Sequence, residues 1–132
     1  MTSLKQIGIA VVEHAGRYLI GVRGPDVPLA GFAEFPGGKC LNNESPFKCV
    51  VRECLEETGL VVIPARLLQH KEFEYPHGRV SLHFVLCHPA NHNDVQDQHQ
   101  QFLWHSPKEL KVLKFPDANA DVIDLLSQAS DA

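Results

Sequence analysis

Three carboxylates, Glu53, Glu56 and Glu57, stand at i, i+3 and i+4 in a segment that reads as a helix from Pro46 to Glu57. Ser45 is placed to cap its start, Pro46 suits the first helical position and Gly59 marks its end. Projected at about 100° per residue, Phe47, Val50, Val51, Cys54 and Leu55 are expected on one face and the three glutamates on the opposite one. Like charges at these spacings destabilise a helix by roughly 0.2–0.5 kcal/mol per pair, unless something positive sits between them. Taken alone, such a triplet is a solvated acidic face. The upstream run Pro36-Gly37-Gly38-Lys39 gives it another meaning, because glycines let the backbone come close and expose carbonyl oxygens. Carboxylates and carbonyls are hard oxygen donors, and together with waters and substrate phosphates they suit Mg²⁺ or Mn²⁺.

The elements that must position these groups follow from periodicity. Ile7, Ile9 and Val11 alternate with Gly8, Ala10 and Val12, and after Glu13-His14-Ala15-Gly16 the run Arg17–Val22 completes an expected hairpin. Gly24–Gly31 reads as a loop, and Phe32–Phe35 precedes the breaker Pro36-Gly37-Gly38. Leu60–Ile63 and Ala65–Leu68 suggest a short strand and a connection. Lys71–Tyr75 and Arg79–Cys87 suggest a long hairpin turned at Pro76-His77-Gly78, with Val80, Leu82, Phe84 and Leu86 alternating along its second arm. His88–Gln100 has no apolar period and reads as a long polar loop. Phe102–Trp104 reads as a last strand, Pro107–Leu110 as one helical turn, and Asp117–Ser127 as a terminal helix capped by Asp117 with Val122, Leu125 and Leu126 inward. No linker or repeat divides the chain, so residues 1–132 are expected to form a single domain, of an α+β or α/β class.

Twelve Lys and Arg against 16 Asp and Glu give a net charge of −4, the wrong sign for a protein held on duplex nucleic acid by phosphate neutralisation. No apolar run reaches the roughly 18 residues of a membrane helix, and the N-terminal segment lacks a signal-peptide core, so a cytoplasmic protein, monomer or homodimer, is expected. Cys40, Cys49, Cys54 and Cys87 show no C-x-x-C spacing and read as small buried or half-buried thiols. Five late histidines, His83, His88, His92, His99 and His105, match no compact zinc pattern.

Gly38, Glu44 and Arg52-Glu53-Cys54-Leu55-Glu56-Glu57-Thr58-Gly59-Leu60 resemble the Nudix box, G-x5-E-x7-R-E-U-x-E-E-x-G-U with U a bulky aliphatic residue. Cys54 alone departs, at an aliphatic position. Glu34-Phe35-Pro36-Gly37-Gly38-Lys39, Lys71-Glu72-Phe73-Glu74-Tyr75-Pro76 and Phe115-Pro116-Asp117-Ala118-Asn119 extend the resemblance to the MutT-type nucleoside triphosphate pyrophosphohydrolases over nearly the whole chain. The resemblance implies an α/β fold, an α/β/α sandwich around a mixed sheet. It implies attack of water on phosphorus assisted by a divalent cation, Mg²⁺ with Mn²⁺ as the alternative.

By position, Glu53, Glu56 and Glu57 match the family's metal-binding residues, with a backbone carbonyl of Gly37 or Gly38 completing the shell, and Glu53 also orients or deprotonates water. Arg52 and Glu44 match positions that support the carboxylates. Arg23 matches one that meets substrate phosphates or sugar. Asn119 matches the one that reads the base, and Phe35 is a candidate wall of the base pocket. Two positions depart. Gln98 stands where a further acidic ligand is often found, with Asp94 and Asp97 nearby, and Arg79, a further candidate for substrate binding, stands one place later than the arginine of close relatives. The substrate implied is an oxidised purine nucleotide such as 8-oxo-dGTP; the alternatives are CTP, other pyrimidine nucleotides or further nucleoside diphosphate derivatives, and a nucleotide-binding module without turnover.

Overall fold

Two long strands running in parallel form the spine of the molecule. In a computed structural model describing residues 4–76 and 78–129, β1 (Leu4–His14) pairs with β6 (Gly78–Pro89) from Leu4 opposite Arg79 to Val12 opposite Cys87. A long antiparallel partner, β5 (Val62–Tyr75), lies outside β6. On the other side of β1 come β2 (Arg17–Val22), β8 (Phe102–His105) and β7 (Gln98–His99). The order is therefore β5-β6-β1-β2-β8-β7, with β3 (Ala33–Glu34) on β2 and β4 (Gly37–Lys39) on β1. The sheet is mixed, as the resemblance implied.

Side-chain alternation explains why both faces are covered. On β1, Ile7, Ile9 and Val11 join Leu82 and Phe84 of β6 in a core with Leu110 of α2 (Pro107–Val112) and Val122, Ile123 and Leu126 of α3 (Ala120–Ala129). Ala10 and Val12 join Val85 and Cys87 in a second core under α1 (Pro46–Thr58), which contributes Val50 and Cys54. One helix on one face and two on the other make the α/β/α sandwich. Gly8 sits where α1 comes nearest, since a Cβ there would lie 2.8 Å from Cys49 Sγ and 3.1 Å from Val50 Cγ1.

Helix α1 has the expected ends: Ser45 Oγ accepts from Lys48 N at 3.2 Å, Pro46 opens it, and Gly59, at φ 77°, closes it. Its expected faces need correction. The buried residues are Cys49, Val50, Cys54 and Thr58, while Phe47 and Leu55 are 40% and 46% exposed. At about 100° per residue Glu53 and Glu57 project between Cys49 and Val50, on the sheet side of the helix; Glu56 stands further out. An apolar-inward reading fails here because partners on the sheet side receive these carboxylates.

Other elements differ from expectation in instructive ways. The short strand and connection after α1 are one 14-residue strand, β5, with irregularities between Pro64 and Arg66 and between Leu67 and Gln69; bulges absorb the proline and keep the register. The hairpin closes with Tyr75 opposite Gly78, and His77 of its expected turn lies outside the described residues. The run Gly37–Lys39, expected as a breaker, is a strand on β1. The polar segment holds a 3₁₀ turn (His92–Asp94) and β7. His83, expected on a polar strand face, is half-buried and stacks on His70 at 4.3 Å. The terminal helix begins only at Ala120, after a 3₁₀ turn over Asp117–Asn119 preceded by Pro116, so Asp117 does not cap it; Leu125 is 44% exposed. Cys40, Cys49, Cys54 and Cys87 are all free and buried, as expected. Among the described residues no helix is long and apolar enough to cross a membrane.

Candidate active site

Strand β4 lies beside β1, and α1 packs over both, so the glycine run faces the inward carboxylates. Glu57 Oε2 accepts from Gly37 N at 3.2 Å. At Gly38 a Cβ would stand 2.5 Å from Cδ and Oε1 of Glu53 and 2.7 Å from Oε2, so only glycine allows this carboxylate to lie against the strand.

Arg52 ties the acidic groups together. Its Nε and Nη2 donate to Glu44 Oε2 and Oε1 at 2.8 and 3.0 Å, a two-pronged pairing. Nη1 donates to Glu53 Oε1 at 3.2 Å and to Glu56 Oε2 at 3.2 Å, and Nη2 also reaches Lys39 O at 3.1 Å. Hydrogen bonding from Arg52, helped by Leu41 N–H, holds the Glu44 carboxyl down at about 2. Glu44 and the carboxylates in turn raise the Arg52 guanidinium, with Glu44 the largest cause.

Glu57 is tuned the opposite way. Burial pushes its carboxyl up to about 7, against the Gly37 N–H and reinforced by Glu53, Glu34 and Glu56. Glu53, Glu56 and Glu57 thus stand together beside Arg52, which is already committed to Glu44, while Glu34, paired to Arg23, is close enough to act on Glu57. That unbalanced negative charge, the glycine shoulder at residue 38 and the all-oxygen donor set fit a divalent hard cation. Glu53, Glu57 and a carbonyl of the glycine run are the groups that would hold it, with Glu56, 58% exposed at its side chain, at the rim.

The remaining candidates are spread more widely. Arg23 Nη1 pairs with Glu34 Oε1 at 3.1 Å, and its Nε donates to Pro28 O at 2.7 Å. Asn119 is 9% exposed in the 3₁₀ turn, next to Asp117 and Ala118. Those two neighbours, with Leu29, Phe32, Phe73 and Pro116, line a cleft of about 400 Å³. Phe35 is not among them: it is 6% exposed in the core, stacked on Phe115 at 5.4 Å. Arg79 pairs with Glu72 at 2.9 Å near the hairpin end. Gln98 Nε2 donates to Gln100 O at 2.7 Å, and Asp97 lines a separate groove with His14, Arg17 and Trp104.

The sequence reading missed Glu34, Phe32 and Phe73. Glu34 sits three residues before Gly37 in the segment already singled out, and its strand position opposite Gly21 turns it toward Arg23 and Glu57. Lys114 Nζ stands 4.4 Å over the Phe32 ring and Lys71 Nζ 5.1 Å over Phe73, so the cleft's aromatic walls each carry a cation.

A family model described as the NUDIX domain matches residues 8–125. The chain belongs to the Nudix family. Its relatives include a protein of Haemophilus influenzae named 8-oxo-dGTP diphosphatase, 36% identical over 92% of this chain and 90% of that one. Another, from Escherichia coli, is named CTP pyrophosphohydrolase and is 33% identical over 89% of this chain and 85% of its own length. Among solved structures it resembles the E. coli ORF135 protein, with TM-score 0.75 and 27% identity over 93% of this chain and 88% of that one. The Nudix fold and hydrolase class therefore hold for this chain, and hydrolases of this family use divalent metal ions.

Proposed function

We propose that this Nudix hydrolase is an Mg²⁺-dependent pyrophosphohydrolase that converts a nucleoside triphosphate, an oxidised purine such as 8-oxo-dGTP, to the monophosphate and pyrophosphate. A single domain, residues 1–132, carries the reaction. The observation that supports it most is the seat of Glu53 against Gly38 and of Glu57 against Gly37 N, a carboxylate pair set against the glycine strand.

When bound, Mg²⁺ would supply charge neutralisation at the phosphates and a more acidic water. Glu53, Glu56 and Glu57, with a carbonyl of Gly37 or Gly38, are the proposed ligands. Glu53 also orients the attacking water and takes its proton. Arg52, fixed by Glu44, keeps Glu53 and Glu56 from turning away. Arg23, beside Glu34, binds phosphate or sugar oxygens once substrate competes with Glu34 and Pro28 for its donors. Asn119 reads the base edge through its amide, which offers both a donor and an acceptor. Phe32 and Phe73 give that base an apolar seat; Phe35, stacked on Phe115 in the core, supports the base pocket by packing, and Arg79, half-exposed and paired to Glu72, is a further proposed substrate contact.

The relative named CTP pyrophosphohydrolase supports a second reading, with the same chemistry on pyrimidine nucleotides. Pyrophosphate release from 8-oxo-dGTP, dGTP, CTP and dCTP, with Mg²⁺ and with chelator, separates the two. A kcat/KM about a hundredfold higher for the oxidised purine, about 2.7 kcal/mol of discrimination, is expected. Equal or higher values for CTP select the second reading, and metal-independent turnover rejects both.

A further inference from the structure

A second donor cluster lies at the N-terminal end of α1 and differs in kind from the oxygen-rich cleft. Cys40 follows β4, Cys49 lies in the first turns of α1, and Glu44 precedes the helix cap. Their Sγ and carboxylate atoms all lie within 4.8 Å of one another, the only group of three such residues so arranged among the described residues. The geometry points to a site for a thiophilic divalent cation of the Zn²⁺ type, bound by Cys40 Sγ, Cys49 Sγ and a Glu44 oxygen.

Distances and access both favour it. On a tetrahedral zinc, two sulfurs at about 2.3 Å from the metal stand about 3.8 Å apart and a sulfur and a carboxylate oxygen about 3.5 Å apart, so closing the present cluster requires a movement of about 1.3 Å at most. Cys49 is fully buried and Cys40 is 8% exposed, and a surface groove of about 320 Å³ whose lining includes Cys40 and Glu44, along with Lys5 and Lys39, reaches two of the three donors. Cys49 Sγ makes a long contact of 3.5 Å to Gly38 O and also interacts with Cys40 and Glu44, the other two members of the cluster. Of the Glu44 oxygens, Oε1 accepts from Leu41 N and Arg52 Nη2 and Oε2 from Arg52 Nε, which leaves Oε2 the less encumbered acceptor. On binding, each thiol releases its proton to solvent and the cation takes its place. Two sulfur donors select zinc-like cations over Mg²⁺, which the carboxylates of the cleft prefer.

The cluster also touches the machinery of the first site. Glu44 anchors Arg52, which holds Glu53 and Glu56, and Cys49 reaches the carbonyl of Gly38. A cation on Glu44 draws negative charge away from Arg52 and loosens that anchor, so occupancy here lowers Mg²⁺-supported turnover.

Co²⁺ reports binding without any reference to activity. Titrated into reduced wild-type protein, it should give a thiolate-to-cobalt charge-transfer band that saturates near one equivalent, is bleached by Zn²⁺ and is absent in Cys40→Ser. Cys49→Ala, which removes the fully buried thiol, should lose it as well. Absence of the band in folded wild-type protein overturns the site, as does its persistence in Cys40→Ser; both results stand whatever nucleotide the enzyme hydrolyses. For the coupling, Zn²⁺ at constant Mg²⁺ should inhibit wild-type turnover at a concentration at least tenfold lower than it inhibits Cys40→Ser, and equal inhibition of the two overturns it.

Discussion

Replacing Gly38 by alanine isolates the contact on which the carboxylate arrangement depends. The added methyl would lie 2.5 Å from Glu53 Cδ and Oε1 and 2.7 Å from Oε2, where ordinary contact begins at 3.4 Å. The carboxylate must therefore retreat by about 0.9 Å, and a misplacement of about 1 Å at a reacting group costs on the order of a hundredfold in rate, or about 2.7 kcal/mol. Stability should hardly change. Glu53 is a flexible side chain that can swing aside, and Gly38 is not among the glycines at positive φ, so alanine also restricts the unfolded chain by roughly 0.4–1 kcal/mol. The assay is steady-state pyrophosphate release in Mg²⁺ beside a thermal melt, with Gly24→Ala, whose Cβ would meet nothing within 4 Å, as the control. A kcat about a hundredfold lower with a melting temperature within a few degrees is expected. A kcat within about threefold of wild type would refute the reasoning that Glu53 must rest against this strand.

Glu57→Gln should abolish metal-dependent hydrolysis and change the pH dependence of the metal-free protein. Because the folded carboxyl titrates at about 7 against an ordinary 4.5, the folded state holds more proton between those values, and its stability falls as pH rises through that window and levels off above it. The full shift corresponds to about 3 kcal/mol, reduced to about 1–2 kcal/mol for a half-exposed group; the glutamine variant should therefore melt higher than wild type at pH 8, and melting curves that coincide at all pH values contradict this. Arg52→Lys keeps the charge but loses the planar fork that meets Glu44 twice, and kcat should fall by at least about tenfold; wild-type kcat would remove Arg52 as a positioning residue. Gly8→Ala should destabilise by roughly 1–3 kcal/mol through overpacking against Cys49, and Cys49→Ala in the same chain should recover part of it in denaturant melts, a recovery whose absence argues against this contact. Asn119→Ala should raise KM for 8-oxo-dGTP at least about tenfold more than for CTP, and equal effects would take Asn119 out of base reading.

The helix and its chemistry were legible because local signals agree: Ser45, Pro46 and Gly59 fix the ends of α1, and box spacing fixes the register of its carboxylates. The inward turn of Glu53 and Glu57 was not, since hydrophobic patterning assigns charges to the outside, and what overrides it is supplied by β4 and Arg52, remote or unweighted in a helical projection. Strand alternation gave β1 and β6 correctly. It lost β5 at Pro64, because a bulge looks like a break to a period-two pattern. Phe32 and Phe73 come from loop and hairpin segments 41 residues apart, and only tertiary packing makes them lining residues of one cleft. Cys40 and Cys49 likewise read as ordinary core thiols until folding puts Glu44 beside them.

The central claim is that Glu53, Glu56 and Glu57 hold the divalent ion on which hydrolysis depends. Mn²⁺ titrated into wild type and Glu57→Gln, with free ion followed by electron paramagnetic resonance, tests it most directly. Wild type should bind Mn²⁺ at least about tenfold more tightly than Glu57→Gln, a difference of about 1.4 kcal/mol, with both proteins folded. Equal affinity in the two would contradict the claim.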